Sequence, residues 1–321
     1  MKCFYHGDLD GRAAGFCVHA WVGIHDDFNT MGVNFIEIDY KDRFPIETIQ
    51  PGEQVWIVDF SIKPAQMLDL LEITKDVTWI DHHKTSLADY ADFPHKINGV
   101  RRNGEAGCVL TWKYVHWYSN RGGLVPESEW DANEKERSAY LPVPRMITLV
   151  GDRDIWAWKY GEETKNFFAG SQMHDTSPHS EFWWKCMEHE IEPLPPPNTG
   201  NATARERGER FWKRLLQDGE TINKYKAATD EEVNKSLGFD TIFEGFKCWA
   251  INRGRISSDR LGGRNKEYDI LLPYFHDGKQ FIVSLYSEKV DVSVLAKKHG
   301  GGGHKGAAGF QCNALPFIAR L

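Results

Sequence analysis

The chain has 321 residues, 41% of them hydrophobic, which is enough to build a core and excludes wholesale disorder. A formal net charge of −7 excludes a broad basic face gripping long duplex nucleic acid, but not a short polyanion met by bound metal ions. The six cysteines (Cys3, Cys17, Cys108, Cys186, Cys248, Cys312) include no C-x-x-C pair, so neither a disulfide framework nor a structural zinc is expected. The N-terminus reaches His6 and Asp8 before a signal-peptide core can form, and no apolar run approaches the ~20 residues of a membrane span; a soluble, cytoplasmic protein is expected.

The first third predicts alternating strands and helices. Residues 3–5 and 35–38 read as strands, with a helix of small residues over 11–22 between them. Residues 54–60 and 77–80 are compact apolar runs separated by a helix over 64–74. Short buried strands separated by helices predict a parallel sheet covered on both faces. Residues 104–118 read as a helix, 120–136 as a polar connection, and 145–150 as a further apolar strand or helix. Pro178, Pro193, Pro195, Pro196 and Pro197 then mark a surface insertion over about 156–203, with a helix at 181–190 inside it. A helix over about 204–228 places Phe211, Leu215, Ile222 and Tyr225 on one face. After Gly238 the pattern turns strand-rich: 246–251, then 269–275 and 280–286 as a hairpin across His276-Asp277-Gly278, a helix at 292–299 and a closing strand at 307–311.

Four separated motifs carry metal-competent side chains at the end of apolar runs: His6-Gly7-Asp8-Leu9-Asp10-Gly11, Asp59, Asp81-His82-His83 and Asp152. His6, Asp8 and Asp10 share parity, so extended backbone leans them to one side; Asp-Leu-Asp-Gly is equally good turn chemistry. Asp59 also reads as a helix N-cap region, and Asp152-Arg153-Asp154 as a surface salt-bridge cluster. Asp81-His82-His83 has no such bland reading, because a core does not accommodate three such residues in a row. Recurrence at the strand ends of one sheet would collect all four in one crevice, where open α/β sheets bind ligands. Asp and His donors without Cys point to hard divalent cations and metal-assisted phosphate-ester hydrolysis. Near the C-terminus Gly300-Gly301-Gly302-Gly303-His304 reads as a linker, as close approach to a neighbouring strand, or as a loop for an anionic ligand, the last being favoured. Trp156 and Trp158 follow the fourth motif and are candidates for base stacking, or for core packing.

Together these motifs resemble the DHH phosphoesterase family, with Asp81-His82-His83 as the eponymous motif, His6 to Gly11 as the first, Val58-Asp59 as the second and Gly151-Asp152-Arg153-Asp154 as the fourth. Residues 283–310, with Ser284-Leu285-Tyr286-Ser287 and the glycine-histidine loop, resemble the family's associated C-terminal domain. The relatives are RecJ-type single-strand exonucleases, nanoRNase-type oligoribonucleases and cyclic-dinucleotide phosphodiesterases. The resemblance implies that His6, Asp8 and Asp59 hold one manganese, and that Asp10, Asp59, His82 and Asp152 hold a second, with Mg2+ or Co2+ as substitutes. It places His83 by the scissile phosphate, and Gly301, Gly302, Gly303, His304 and Lys305 on substrate phosphate from across an interdomain cleft. Two departures stand out: an arginine common in the Ser-Leu-x-Ser strand is Tyr286 here, with Arg253, Arg255, Arg260 and Lys305 as substitutes, and the fourth motif offers Asp154 beside Asp152.

The fold class expected is α/β: a parallel-sheet catalytic domain (1–203), a helical linker (204–237) and a smaller α+β substrate-binding domain (238–321). Asp10, Asp59 and His83 are the expected catalytic groups and Arg255 an expected substrate contact. The expected activity is manganese-dependent exonucleolytic cleavage of short single-stranded RNA or DNA to nucleoside monophosphates. The alternatives are hydrolysis of a cyclic dinucleotide or a 3′,5′-bisphosphonucleotide, or a nucleotide-binding module without catalysis.

Overall fold

A computed structural model describes residues 1–25, 32–121, 142–190, 203–254 and 256–317. The polar connection expected at 120–136 therefore falls almost entirely outside the described residues, as does Arg255. The chain divides into two compact units, Met1–Thr221 and Ile222–Leu321.

In the first unit, β1 (Lys2–His6), β2 (Asn34–Ile38), β3 (Val55–Val58) and β4 (Val77–Ile80) form a parallel sheet in the order β2-β1-β3-β4. Alternation of side chains between two covered faces explains why the central residues of β1, β3 and β4 are buried in succession. Cys3, Tyr5, Trp56, Val58 and Ile80 enter one core. Phe4, Val55, Ile57, Val77 and Trp79 enter the other, on the opposite face. Helix α1 (Leu9–His25) lies in the first core and α2 (Pro64–Ile73) in the second. The chain leaves β1 for β2 on one side and returns to β3 on the other, so the order reverses between β1 and β3. A crevice opens at the carboxyl ends of strands at such a point. The motifs ending β1 and β3 flank it.

Short α3 (Lys84–Asp89) follows β4, and α4 (Gly107–Arg121) and α5 (Arg145–Asp154) pack with α1. Residues 145–154 are thus helix, and the fourth motif ends a helix rather than a strand. The segment expected as a surface insertion is also different: α6 (Glu162–Ser171) and α7 (Glu181–Met187) bury Phe167, Phe182, Trp183 and Cys186 in the α1 core. Proline content pointed outward, but the aromatic residues between the prolines face in. Residues 191–202 of that segment lie outside the described residues.

Helix α8 (Ala204–Leu237) is 34 residues long, and the division between units falls inside it. Leu215 is buried and Phe211 packs against the same core, whereas Tyr225 at the far end of the expected stripe is exposed. Among the described residues no helix is long and apolar enough to cross a membrane.

The second unit is a mixed six-stranded sheet in the order β5-β6-β7-β8-β10-β9. Its strands are β5 (Gly238–Phe243), β6 (Phe246–Asn252), β7 (Ile270–His276), β8 (Phe281–Tyr286), β9 (Gly302–Gly303) and β10 (Ala307–Cys312), with α9 (Val292–Lys298) between β8 and β9. The expected hairpin is β7–β8, antiparallel. The glycine loop is itself the edge of the sheet, since Gly302 and Gly303 pair with Gly309 and Ala308. A side chain at Gly301 would overlap the Gly309 carbonyl oxygen, and one at Gly303 (φ +138°) would come 2.6 Å from the Ala308 Cα. Close strand approach therefore accounts for both residues. Gly301→Ala is expected to cost about 1–3 kcal/mol through this overlap, seen as a lower thermal midpoint; an unchanged midpoint would show that the edge is free to move.

Candidate metal centre

His6 ends β1, and the chain turns at once into α1. Asp8 caps that helix: its Oδ1 accepts the Gly11 amide (3.0 Å) and its carbonyl the Arg12 amide (3.1 Å). The other carboxylate oxygen, Oδ2, lies 3.0 Å from His6 Nδ1. The turn thus uses one carboxylate oxygen and sets the other beside an imidazole, so a cap and a ligand role are compatible in one residue.

Asp10, two residues further in, is 2% exposed. Its two oxygens accept the amides of Gly107 (2.7 Å) and Cys108 (2.9 Å) at the start of α4, where unpaired helix amides favour an anion. Gly107 must be glycine for a second reason, because a Cβ there would stand 2.6 Å from both Cβ and Oδ1 of Asp59.

Asp59 follows β3 with φ +51°, in the left-handed region, while its amide still donates to the Ile80 carbonyl (2.9 Å). That backbone is uncommon outside glycine, though aspartate tolerates it better than most residues. Its side chain is buried and neither carboxylate oxygen has a hydrogen-bond partner. Burial, then the neighbouring charges of Asp10, Asp8 and Asp154, hold its pKa well above the usual carboxylate range. Asp154 is raised for the same reasons, and its Oδ2 is also buried without a hydrogen bond. Orphaned carboxylate oxygens packed against one another are costly unless a cation joins them.

The third motif is fixed by Asp81. Its Oδ1 accepts the His82 amide (2.8 Å) and faces His83 Nδ1 at 2.7 Å. Residues 98–101 run alongside as a parallel bridge to β4, with Asp81 donating to Val100 and Arg102 donating back to Asp81. His82 Nε2 is thereby presented to three carboxylates: Asp59 at 3.2 Å, Asp154 at 3.4 Å and Asp10 at 3.6 Å. Burial lowers the His82 pKa despite the opposing charge of Asp10. A neutral imidazole is the form that can ligate a metal. For His83 burial opposes the charge, but the Asp81 carboxylate outweighs it and raises the pKa.

Three overlapping groups result, each with ligand atoms within 4.8 Å of one another: His6, Asp8 and Asp59; Asp10, His82 and Asp154; and Asp59, His82 and His83. Asp152 is not among them. Its Oδ1 accepts the Lys159 amide (2.7 Å), and its Oδ2 accepts the Tyr160 amide (3.3 Å) and the Thr164 hydroxyl (2.5 Å). The fourth-motif carboxylate at the crevice is Asp154, and Asp152 instead organises the turn holding Trp156 and Trp158. Those two indoles stand edge to face, 5.6 Å apart, and both residues have positive φ.

In the second unit His304, Lys305 and Gly303 are exposed. Arg253 and Arg260, expected as substitutes for a substrate-clamping arginine, converge on Asp230 of α8. Arg253 Nη2 and Arg260 Nη2 both donate to its Oδ1 (2.6 Å), and Arg260 Nε donates to its Oδ2 (2.7 Å).

No family model matches the chain. It is 22% identical over 274 residues to the uncharacterized protein R106 of Acanthamoeba polyphaga mimivirus, covering 83% of this chain and 56% of that one. The chain thus spans little more than half the length of that relative. Among solved structures it is similar to the DHH domain of a member of the s1p family of ribosomal proteins (TM-score 0.51, 15% identity, 97% of this chain and 82% of the other). It is also similar to exonuclease RecJ bound to manganese (TM-score 0.47, 14% identity, 97% and 85% coverage). The parallel sheet with a ligand crevice at its switch point, followed by a mixed-sheet unit, is the DHH-family fold.

Proposed function

We propose that this chain is a divalent-metal phosphoesterase that hydrolyses short single-stranded oligonucleotides to nucleoside monophosphates. The observation that carries the reading is Asp59, whose two oxygens are buried without a hydrogen bond and which belongs to two ligand groups, one with His6 and Asp8 and one with His82 and His83. His6, Asp8 and Asp59 would hold one ion; Asp10, His82, Asp154 and Asp59 would hold the other. The donor set of carboxylates and imidazoles fits Mn2+, with Mg2+ or Co2+ as substitutes. When bound, such a pair supplies Lewis-acid stabilisation of the phosphate and acidifies an attacking water.

The protein's own groups do the rest. Asp81 orients the His83 ring through Nδ1, and that imidazole would donate to a phosphate oxygen as charge develops. The α4 amides hold the Asp10 carboxylate in place. His304, Lys305 and the open face of Gly302 in the second unit are assigned to substrate phosphate, by analogy with the family's associated domain. Net charge of −7 supports a short substrate over a long one.

The test is a panel with manganese, magnesium and cobalt: dinucleotides, five-mers, long single strands, cyclic dinucleotides and 3′,5′-bisphosphonucleotides, compared by kcat/KM. The highest value is expected on the linear dinucleotides and five-mers, with nucleoside monophosphates as products. Preference for a cyclic dinucleotide or a bisphosphonucleotide would replace the substrate. No turnover, with fewer than one metal per chain at saturating manganese, would leave a nucleotide-binding module.

A further inference from the structure

The first unit contains a cavity of about 390 Å3 whose lining includes Asp8, Asp10 and Asp154. One wall of it comes from the segment that the proline pattern marked as a surface insertion: Phe168 and Ser171 of α6, then Gln172, His174 and Thr176. Two features show that this wall is built. The Arg153 guanidinium carbon lies 3.3 Å from the centroid of the Phe168 ring, making a cation–aromatic pair at the cavity. Arg12, held at Nε and Nη2 by the Glu37 carboxylate (2.9 and 3.2 Å), donates from Nη1 to the Thr176 hydroxyl (3.3 Å), which ties the loop after α6 to α1.

We propose that this cavity receives the nucleoside joined to the phosphate under attack, so that the chain selects nucleotide esters over other phosphate esters. The inference rests on the phosphoesterase reading and deepens it. A group that shares its cavity with three metal-site carboxylates is one covalently attached to the phosphate those residues serve. The volume lies near the lower end of the range of about 300–1,000 Å3 for small-molecule sites, which suits one nucleoside and not a run of bases. Aromatic rings and arginine planes are the platforms on which bases stack, and the amide of Gln172 and the imidazole of His174 offer donors and acceptors for a base edge or a ribose.

The test compares wild type, Phe168→Leu and Gln172→Ala, each shown folded by circular dichroism and thermal midpoint. Each is assayed with manganese on a dinucleotide and on bis(p-nitrophenyl) phosphate, which carries no nucleoside. The ratio of kcat/KM for the dinucleotide to that for the aryl ester is expected to fall about tenfold in Phe168→Leu, from lost stacking. In Gln172→Ala it is expected to fall about fivefold, from a lost hydrogen bond. Calorimetric binding of a nucleoside monophosphate, with calcium in place of manganese, should weaken in step. Ratios and binding unchanged in both variants, with both esters still cleaved, would overturn the inference and leave the phosphoesterase reading standing. If wild type cleaves neither ester, that reading fails on its own. The calorimetry then decides the cavity: mononucleotide binding that the variants weaken supports it, and binding absent or unaltered overturns it.

Discussion

Asp59→Asn is expected to lose phosphodiester hydrolysis by ~10³-fold, a loss of about 4 kcal/mol in the transition state, and yet to melt above wild type when both are stripped of metal. The two halves have one cause. The Asp59 carboxylate is buried, unbonded and surrounded by Asp8, Asp10 and Asp154, so without a cation the folded chain carries repulsion that the unfolded chain does not. Asparagine has nearly the same shape, tolerates the left-handed backbone at φ +51°, and turns an amide donor toward those carboxylates. Removing an uncompensated buried charge should gain about 1–3 kcal/mol, or at least about 2 °C in midpoint. Manganese should reverse the order, because a ligand at a hundred times its dissociation constant adds about 2.7 kcal/mol to whichever chain binds it. Differential scanning calorimetry with EDTA and with manganese, beside a dinucleotide assay, reads both halves. A midpoint below wild type in EDTA would show that the carboxylate has a hidden structural partner, and persistent hydrolysis would remove Asp59 from the centre of the mechanism.

The strand ends that meet at this cluster were legible in the sequence because short apolar runs have plain bounds. The shared parity read for His6, Asp8 and Asp10 does not apply, since Asp8 caps α1 and Asp10 lies inside it. His6 at the end of β1, Asp59 after β3 and Asp81-His82-His83 after β4 each follow a short apolar run whose bounds are plain, and the sheet puts their ends side by side. Strand order is another matter. Only the pairing of β1 with both β2 and β3 places the reversal between His6 and Asp59, and nothing local encodes it. The described part of the expected insertion, 156–190, differs from its reading because a proline-rich pattern advertises a surface while Phe167, Phe182 and Trp183 face the core. The glycine loop was ambiguous for a different reason: close approach to a strand and close approach to a ligand require the same missing side chain, and β10 proves to be the neighbour of Gly301 and Gly303. Arg253 and Arg260 looked available only because their partner, Asp230, lies over 20 residues away in another element.

Asp152→Asn and Asp154→Asn are expected to separate stability from metal binding. An apolar run ending in Asp-Arg-Asp reads differently as strand or helix. In a strand, residues two apart point the same way, but in a helix they lie about 200° apart. Residues 145–154 are helix, so only one carboxylate can face the crevice, and it is Asp154, 3.4 Å from His82. Asp152 faces the turn it organises, accepting from Lys159, Tyr160 and Thr164. Asp152→Asn sets an amide donor against donors already in place, which should cost about 2 kcal/mol, lower the midpoint by roughly 4–8 °C, and leave turnover by the folded fraction largely intact. Asp154→Asn should do the opposite: no loss of midpoint in EDTA, bound manganese falling from two ions per chain toward one, and kcat/KM down by ~10²-fold, about 2.7 kcal/mol. Metal content by mass spectrometry, thermal midpoints and a dinucleotide assay distinguish the pair. Loss of metal in Asp152→Asn with Asp154→Asn unaffected would return the ligand role to Asp152, and would require α5 to turn by roughly half a revolution from the arrangement seen here.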